Sequence, residues 1–117
     1  MTPAPLKPTI TAAVLDSIDV RVGTIAAVDD VAGSSKLVAL RVRFGDHERT
    51  IVAGLKRERA DPKSLAGKQA LFVVNLVPRT MAGVVSEGML FDIGYADGIV
   101  PVLAVPEQPV PDGTRAG

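Results

Sequence analysis

The hydrophobic pattern of this chain is clearest between Lys36 and Phe44, where Val38, Leu40, Val42 and Phe44 alternate with Ala39, Arg41 and Arg43. A period of two predicts a half-buried strand carrying two arginines side by side on its polar face. Upstream, Val20-Arg21-Val22-Gly23-Thr24-Ile25-Ala26-Ala27-Val28 is dominated by branched side chains and predicts a long curved strand that bends or bulges at Gly23. Glu48 to Ala53 returns as a third strand after a turn at Gly45-Asp46. The unbroken apolar run Ala70 to Val74 ends at Asn75 and predicts a buried fourth strand; Met89 to Phe91 predicts a fifth. Between these two, Leu76 to Glu87 contains Pro78-Arg79 and Gly83, and reads as a loop that offers hydrogen-bonding groups at the rim of the sheet.

The other segments connect or extend these strands. Residues 1–10 hold Pro3, Pro5 and Pro8 and read as a flexible arm. Thr11 to Asp16 predicts a short helical turn with Thr9 or Thr11 as its N-cap. Asp29 to Ser35 is turn chemistry, Leu55 to Ala60 is a charged connector, and Asp61 to Gly67 predicts one capped helical turn stopped by glycine. Ile99 to Val105 is a further apolar run, and Pro106 to Gly117 is a tail with a turn at Pro111-Asp112-Gly113. The expected organisation is the arm followed by a single all-β domain with short helices over residues 11–117, of which 92–117 form a C-terminal extension. Five strands with a short helix between the third and fourth match the OB-fold, a five-stranded Greek-key barrel. Ligands of that fold lie on strands two and three and on the loops joining strands one to two and four to five. Arg41 and Arg43 are therefore expected to converge with the Asn75/Arg79 loop on one surface. The surplus C-terminal material is expected to cover a sheet edge or a second subunit.

Composition works mainly by exclusion. At 117 residues the chain can bury a core without staples, and the lack of cysteine removes disulfide frameworks, thiolate zinc sites and cysteine nucleophiles. The single histidine, His47, lies in a predicted turn; Asp29-Asp30 has no partner acid or base at useful spacing; Ser86 has no visible base; and Gly83 to Gly88 has the pattern of neither a phosphate loop nor a nucleophile elbow. No catalytic residue, metal or cofactor is expected. No apolar run approaches the roughly 18–20 residues that span a bilayer, and the N-terminus makes a poor secretory signal, so a cytoplasmic location is expected.

The 13 basic and 13 acidic residues balance, but residues 21–90 carry an excess of four positive charges and residues 91–117 an excess of three negative ones. A local basic patch fits this balance better than a nucleic-acid coat held by bulk charge. Its candidate phosphate contacts are Lys36, Arg41, Arg43, Arg79 and the Lys56-Arg57-Arg59 cluster, with Asn75 and Ser86 as hydrogen-bonding groups. With Phe44, Phe72 and Phe91 on apolar faces, Tyr95 is the only other ring, so recognition of a folded RNA by shape is favoured over stacking of a single strand. Met81 and Met89 flank the loop; for Met89 core filling is the default role and ligand contact the alternative.

Several motifs occur in order along the chain: Asp19-Val20-Arg21-Val22-Gly23-Thr24-Ile25, Gly33-Ser34-Ser35-Lys36-Leu37, Arg49-Thr50-Ile51-Val52-Ala53-Gly54-Leu55, Leu65-Ala66-Gly67-Lys68, Asn75-Leu76-Val77-Pro78-Arg79 and Ser86-Glu87-Gly88-Met89. Over roughly residues 12–105 the chain thereby resembles the tRNA-binding OB domain found at the C-terminus of many methionyl-tRNA synthetases, in free-standing bacterial tRNA-binding proteins and in the endothelial-monocyte-activating polypeptide. The resemblance implies binding to the outer corner of tRNA, a homodimer, and service to an aminoacyl-tRNA synthetase. It places Lys36 in the first ligand loop, Arg41 on the second strand, and Asn75, Arg79, Ser86 and Met89 in the central loop motif. The chain departs from the pattern at Thr80, where a basic residue is common, and at Arg59-Ala60, where an aromatic often precedes the short helix. The CsaA-type export chaperones share the barrel and imply an alternative ligand, unfolded polypeptide, but Gly33 to Leu37, Ala53-Gly54 and Ser86 to Met89 follow the tRNA-binding pattern rather than theirs.

Overall fold

A computed structural model describes residues 2–117. Its centre is an antiparallel sheet in the order β3-β2-β1-β4-β7, built from β1 (Val20–Asp30), β2 (Val38–Arg43), β3 (Glu48–Ala53), β4 (Gln69–Val73) and β7 (Met89–Leu90). The sheet curls because β1 is shared between two neighbours. Val20 to Thr24 pair with β4, and Thr24 to Asp30 pair with β2. The register shift that turns the strand lies between Ile25 and Ala27, not at Gly23. Gly23 has another function: a Cβ there would sit 2.6 Å from Val42 Cγ1 and 2.8 Å from Phe44 Cε1, so glycine lets β1 press against the end of β2.

The alternation of β2 is realised, with Val38, Leu40 and Val42 buried and Arg41 and Arg43 exposed. Ile25, Leu40, Ile51, Ala70 and Phe72 form the fully buried centre of the barrel. Leu65, from the 3-10 turn Pro62–Leu65, seals one end, and Phe44 meets Phe72 edge to face at 5.6 Å.

The segment between β4 and β7 is an ordered hairpin where an irregular loop was expected. Strands β5 (Arg79–Met81) and β6 (Val84–Ser86) pair around Ala82-Gly83, both with positive φ, the signature of a type I′ turn. Its three-residue strands are too short to show a period, and an alanine at a left-handed position conceals the turn.

Backbone and side-chain hydrogen bonds close the barrel between β3 and the chain that leaves this hairpin. Glu87 donates its backbone N–H to Thr50 O (2.8 Å), the Glu87 carboxylate accepts from Thr50 N (3.0 Å), and Ser86 Oγ accepts from Val52 N (3.0 Å). Gly88 completes the seam, because a Cβ there would lie 2.8 Å from Val73 O.

Beyond β7, β8 (Asp92–Ile93) and β9 (Val102–Leu103) form a small second hairpin that encloses the 3-10 turn Tyr95–Asp97. The tail then covers the free edge of β1. Gly113 N donates to Val22 O (2.7 Å), Val22 N donates to Thr114 O (2.9 Å), and β10 (Arg115–Ala116) pairs with Val20 and Arg21. Of the two uses expected for the surplus residues, the covering of a sheet edge is therefore seen.

At the other terminus, residues 2–10 are exposed and irregular. Helix α1 (Ala12–Asp16) is capped by Thr11, whose Oγ1 accepts from Val14 N (3.3 Å). None of its residues is buried. Among the described residues no helix is long and apolar enough to cross a membrane.

Candidate nucleic-acid interface

The β1–β2 loop, the end of β3, the tip of the β5–β6 hairpin and the β7–β8 segment enclose an open groove of about 390 Å³, with Lys36, Val52, Met81, Met89, Phe91 and Tyr95 among its walls. Two motifs distant in sequence place Lys36 there. Ser34 Oγ accepts from Lys36 N (3.3 Å) and Leu37 N (2.9 Å), which shapes the loop. Gly54 leaves room for the lysine stem, since a Cβ at that position would lie 2.9 Å from Lys36 Cε. Met89 lines the same groove and is not core filling.

Strand alternation relates the arginines to this groove. Arg41 pairs with Thr50, and the next same-face row is Ala39 with Val52, which is a wall of the groove. Arg41 therefore lies on the groove side of the sheet, about 7 Å along the strand from that wall, and Arg43, opposite Glu48, one row further. On the hairpin, Arg79 stands two residues before Met81 and so shares its face. Arg41, Arg43 and Arg79 are all exposed. Lys36, Arg41 and Arg79 thus flank one concave, mainly apolar surface, and no residue of the tail beyond Ala96 enters it.

Two predicted site residues have structural employment. Ser86 is 4 % exposed; its hydroxyl accepts from Val52 N and donates to Gly88 O (3.0 Å), so it seams the barrel. Asn75 donates from Nδ2 to Ser17 O (2.7 Å) and accepts at Oδ1 from Asp19 N (2.9 Å), tying the end of β4 to the link between α1 and β1. Both were read as free because an amide or hydroxyl next to a predicted loop looks available when its distant partner is unknown. Lys56 is similarly engaged, with Ser34 O at 2.9 Å and Asp30 at 3.4 Å; its contact and that of Lys63 hold the Asp30 carboxyl below the usual range. Arg57 is exposed, and Arg59 Nε is buried without a partner.

Sequence reasoning missed four groove residues. Phe91 and Tyr95 were assigned no free surface or left unused, yet they are 45 % and 65 % exposed, because β7 ends at Leu90 and the chain turns outward. Glu58, the one acid within Lys56-Arg57-Glu58-Arg59, and Asp92, which follows Phe91, bring two carboxylates to the groove. Burial, with the neighbouring Asp92 charge second, raises the Glu58 carboxyl above its ordinary value.

A smaller recess of about 190 Å³ holds Asp19, Arg21, His47 and Arg49. Its groups satisfy one another: Arg21 pairs with Asp19 at 2.8 Å, His47 Nδ1 bonds Asp46 at 2.7 Å, and Arg49 donates to His47 Nε2 and to Val74 O. His47, in the turn between β2 and β3, also stacks on Phe44 at 5.7 Å. Among the described residues no group of three or more histidine or acidic side chains is placed to hold a metal ion.

Residues 20–115 match the family model described as "Putative tRNA binding domain". The chain is 39 % identical over 98 residues to a methionine–tRNA ligase of Parabacteroides distasonis, covering 84 % of this chain and 14 % of that enzyme. It is 40 % identical over 91 residues to the methionine–tRNA ligase of Methanocaldococcus jannaschii, covering 78 % of this chain and again 14 % of the enzyme. The chain therefore spans about one seventh of the length of these relatives. Among solved structures, a MetRS-related protein from Pyrococcus horikoshii superposes with a TM-score of 0.86 at 33 % identity, over 95 % of this chain and all of that one. The chaperone CsaA of Bacillus anthracis superposes at 0.81 and 25 % identity, over 94 % of this chain and all of its own. With the strands β1 to β9 all inside the matched range, the chain belongs to the tRNA binding domain family.

Proposed function

We propose that this protein is a non-catalytic RNA-binding protein of the cytoplasm that docks the outer corner of tRNA by shape and phosphate contacts. The observation that carries this reading is a set of exposed cations beside one groove, Lys36 in its wall and Arg41 and Arg79 one alternation step from lining residues, with Arg43 extending it along β2. Cations spaced along a curved surface match the phosphates of a folded RNA without reading its sequence. Asn75 acts at one remove, by fixing the chain that leads into the β5–β6 hairpin. A homodimer would place two such surfaces on one assembly, and an aminoacyl-tRNA synthetase acting on the same tRNA is the expected partner.

The test is a titration with total tRNA at low and high ionic strength. Affinity should fall steeply with salt, and Arg79→Ala should weaken binding to all tRNAs alike while reducing the slope of log affinity against log salt by about 1. Salt-independent binding would remove the phosphate mechanism.

A second reading, a chaperone for unfolded polypeptide, is favoured by the apolar walls at Met81, Met89 and Phe91 and by the likeness to CsaA. Suppression of client aggregation without any binding of tRNA would decide for it.

A further inference from the structure

The groove carries charge of the wrong sign for a phosphate. Glu58 and Asp92 both line it, and among the described residues neither carboxylate has an ion pair or a side-chain hydrogen bond. The cations stand at its border, with Lys36 at one wall and Arg41 and Arg79 one alternation step beyond groove-lining residues. A polyanion following those cations would keep its backbone along the rim. Whatever enters between them must be flat enough or apolar enough for Met81, Met89, Phe91 and Tyr95, and must bring hydrogen-bond donors to two acceptors.

Resting on the RNA reading above, we propose that this groove takes one unpaired nucleobase of the bound RNA. The base stacks among Met89, Phe91 and Tyr95 while the Glu58 carboxylate accepts hydrogen bonds from N–H groups on its Watson–Crick edge. The groove volume of about 390 Å³ lies at the small end of the range for ligand sites and suits one nucleoside rather than a strand. Two exposed rings are enough to stack one base and too few for the successive platforms of a single-strand binder.

The carboxylate also selects among bases. Guanine offers N1–H and N2–H side by side, which a carboxylate can accept together. Uracil offers one N–H between two carbonyls, which a carboxylate repels. Guanine is therefore the preferred occupant and uracil the poorest. Such a contact adds recognition of a particular exposed base to an otherwise shape-based grip.

The decisive variant is Glu58→Gln, measured by equilibrium binding to total tRNA at two salt concentrations, with circular dichroism to verify folding. If Glu58 is a bystander near a polyanion, removing its charge leaves binding unchanged or tightens it. If it holds a base, binding weakens roughly tenfold while the salt slope is unaltered, because no phosphate contact is lost. Tyr95→Ala, at an exposed position where folding is not at risk, should weaken binding by at least about fivefold, again at constant slope. In a second arm, guanosine and uridine monophosphates are titrated into protein labelled on its methionine methyls. The Met81 and Met89 signals should respond to the guanine nucleotide at lower concentration, and Glu58→Gln should remove the difference.

Unchanged or tighter tRNA binding by Glu58→Gln, or equal response to the two nucleotides, overturns the base site and leaves the phosphate reading standing. Failure of the unmodified protein to bind tRNA at low salt overturns the RNA reading and the base site with it.

Discussion

Ser86 shows how far a residue's role depends on what lies across the fold. In the linear chain it is a hydroxyl beside glycine in a loop; in the barrel it is buried and serves two backbone groups, Val52 N and Gly88 O. Ser86→Ala would leave the Val52 N–H without a partner, and we expect a loss of about 1–3 kcal/mol in urea unfolding, with tRNA binding at low salt preserved in the folded fraction. Glu58 is the opposite case, a carboxylate that weakens the fold. Because burial and the Asp92 charge raise its carboxyl, the folded chain holds that proton more tightly than the unfolded chain does. Its contribution to stability is therefore greatest below the unfolded-state value and is lost as pH rises through the raised folded value. Glu58→Gln should accordingly melt at a higher temperature than the unmodified protein at pH 7, with the difference closing as pH falls below the ordinary carboxylate range. No narrowing at acid pH would show that the carboxylate is not disfavoured in the fold. A group that opposes folding yet faces a groove is a functional candidate on physical grounds.

At the scale of elements, β1, β2, β3 and β4 were legible because each is governed by local side-chain alternation or by a bounded apolar run. The β5–β6 hairpin was not, since its turn rests on Ala82 and Gly83 at positive φ and its strands are three residues long. The tail illustrates a different limit. Its proline punctuation announced a surplus segment, but its destination depends on Asp112 reaching Thr24 Oγ1 at 2.6 Å and Gln69 Nε2 at 3.0 Å. Those contacts span more than forty residues of chain, beyond any local pattern. Asp112→Ala removes the acceptor shared by both groups and should destabilise the protein by about 1–2 kcal/mol. Hydrogen exchange should rise first at Val22 N and Gly113 N, whose bonds hold the tail to β1. Unchanged protection there would mean that the tail is held by β10 alone.

For the whole molecule, the apolar side chains left outside the barrel are its most informative feature. Val14, Leu15 and Ile18 on and beside α1, Val77 before the β5–β6 hairpin, and Ile93, Val100 and Val102 around the β8–β9 hairpin are all exposed, Val77 at 90 % and Val100 at 67 %. Apolar side chains of this kind are what association buries, and they support the homodimer proposed above. Sedimentation at micromolar concentration should give twice the chain mass, and a double Leu15→Asp, Val100→Asp variant should sediment as a folded monomer. If the unmodified protein is monomeric at that concentration, these side chains serve some other partner and the paired-surface account of tRNA affinity fails.

The chain's own pattern determined the first four strands and the inward and outward faces of β2, because alternation and apolar runs depend on neighbours a few residues away. Only the tertiary structure decided which polar groups hold the fold together, since Asn75 bonds the backbone of the α1–β1 link and Ser86 that of β3. It also decided that a groove exists, because its walls come from four separate stretches between Lys36 and Ala96 that meet only when β3 is seamed to the end of the hairpin. Local physics writes faces; closure of the barrel joins them into a site.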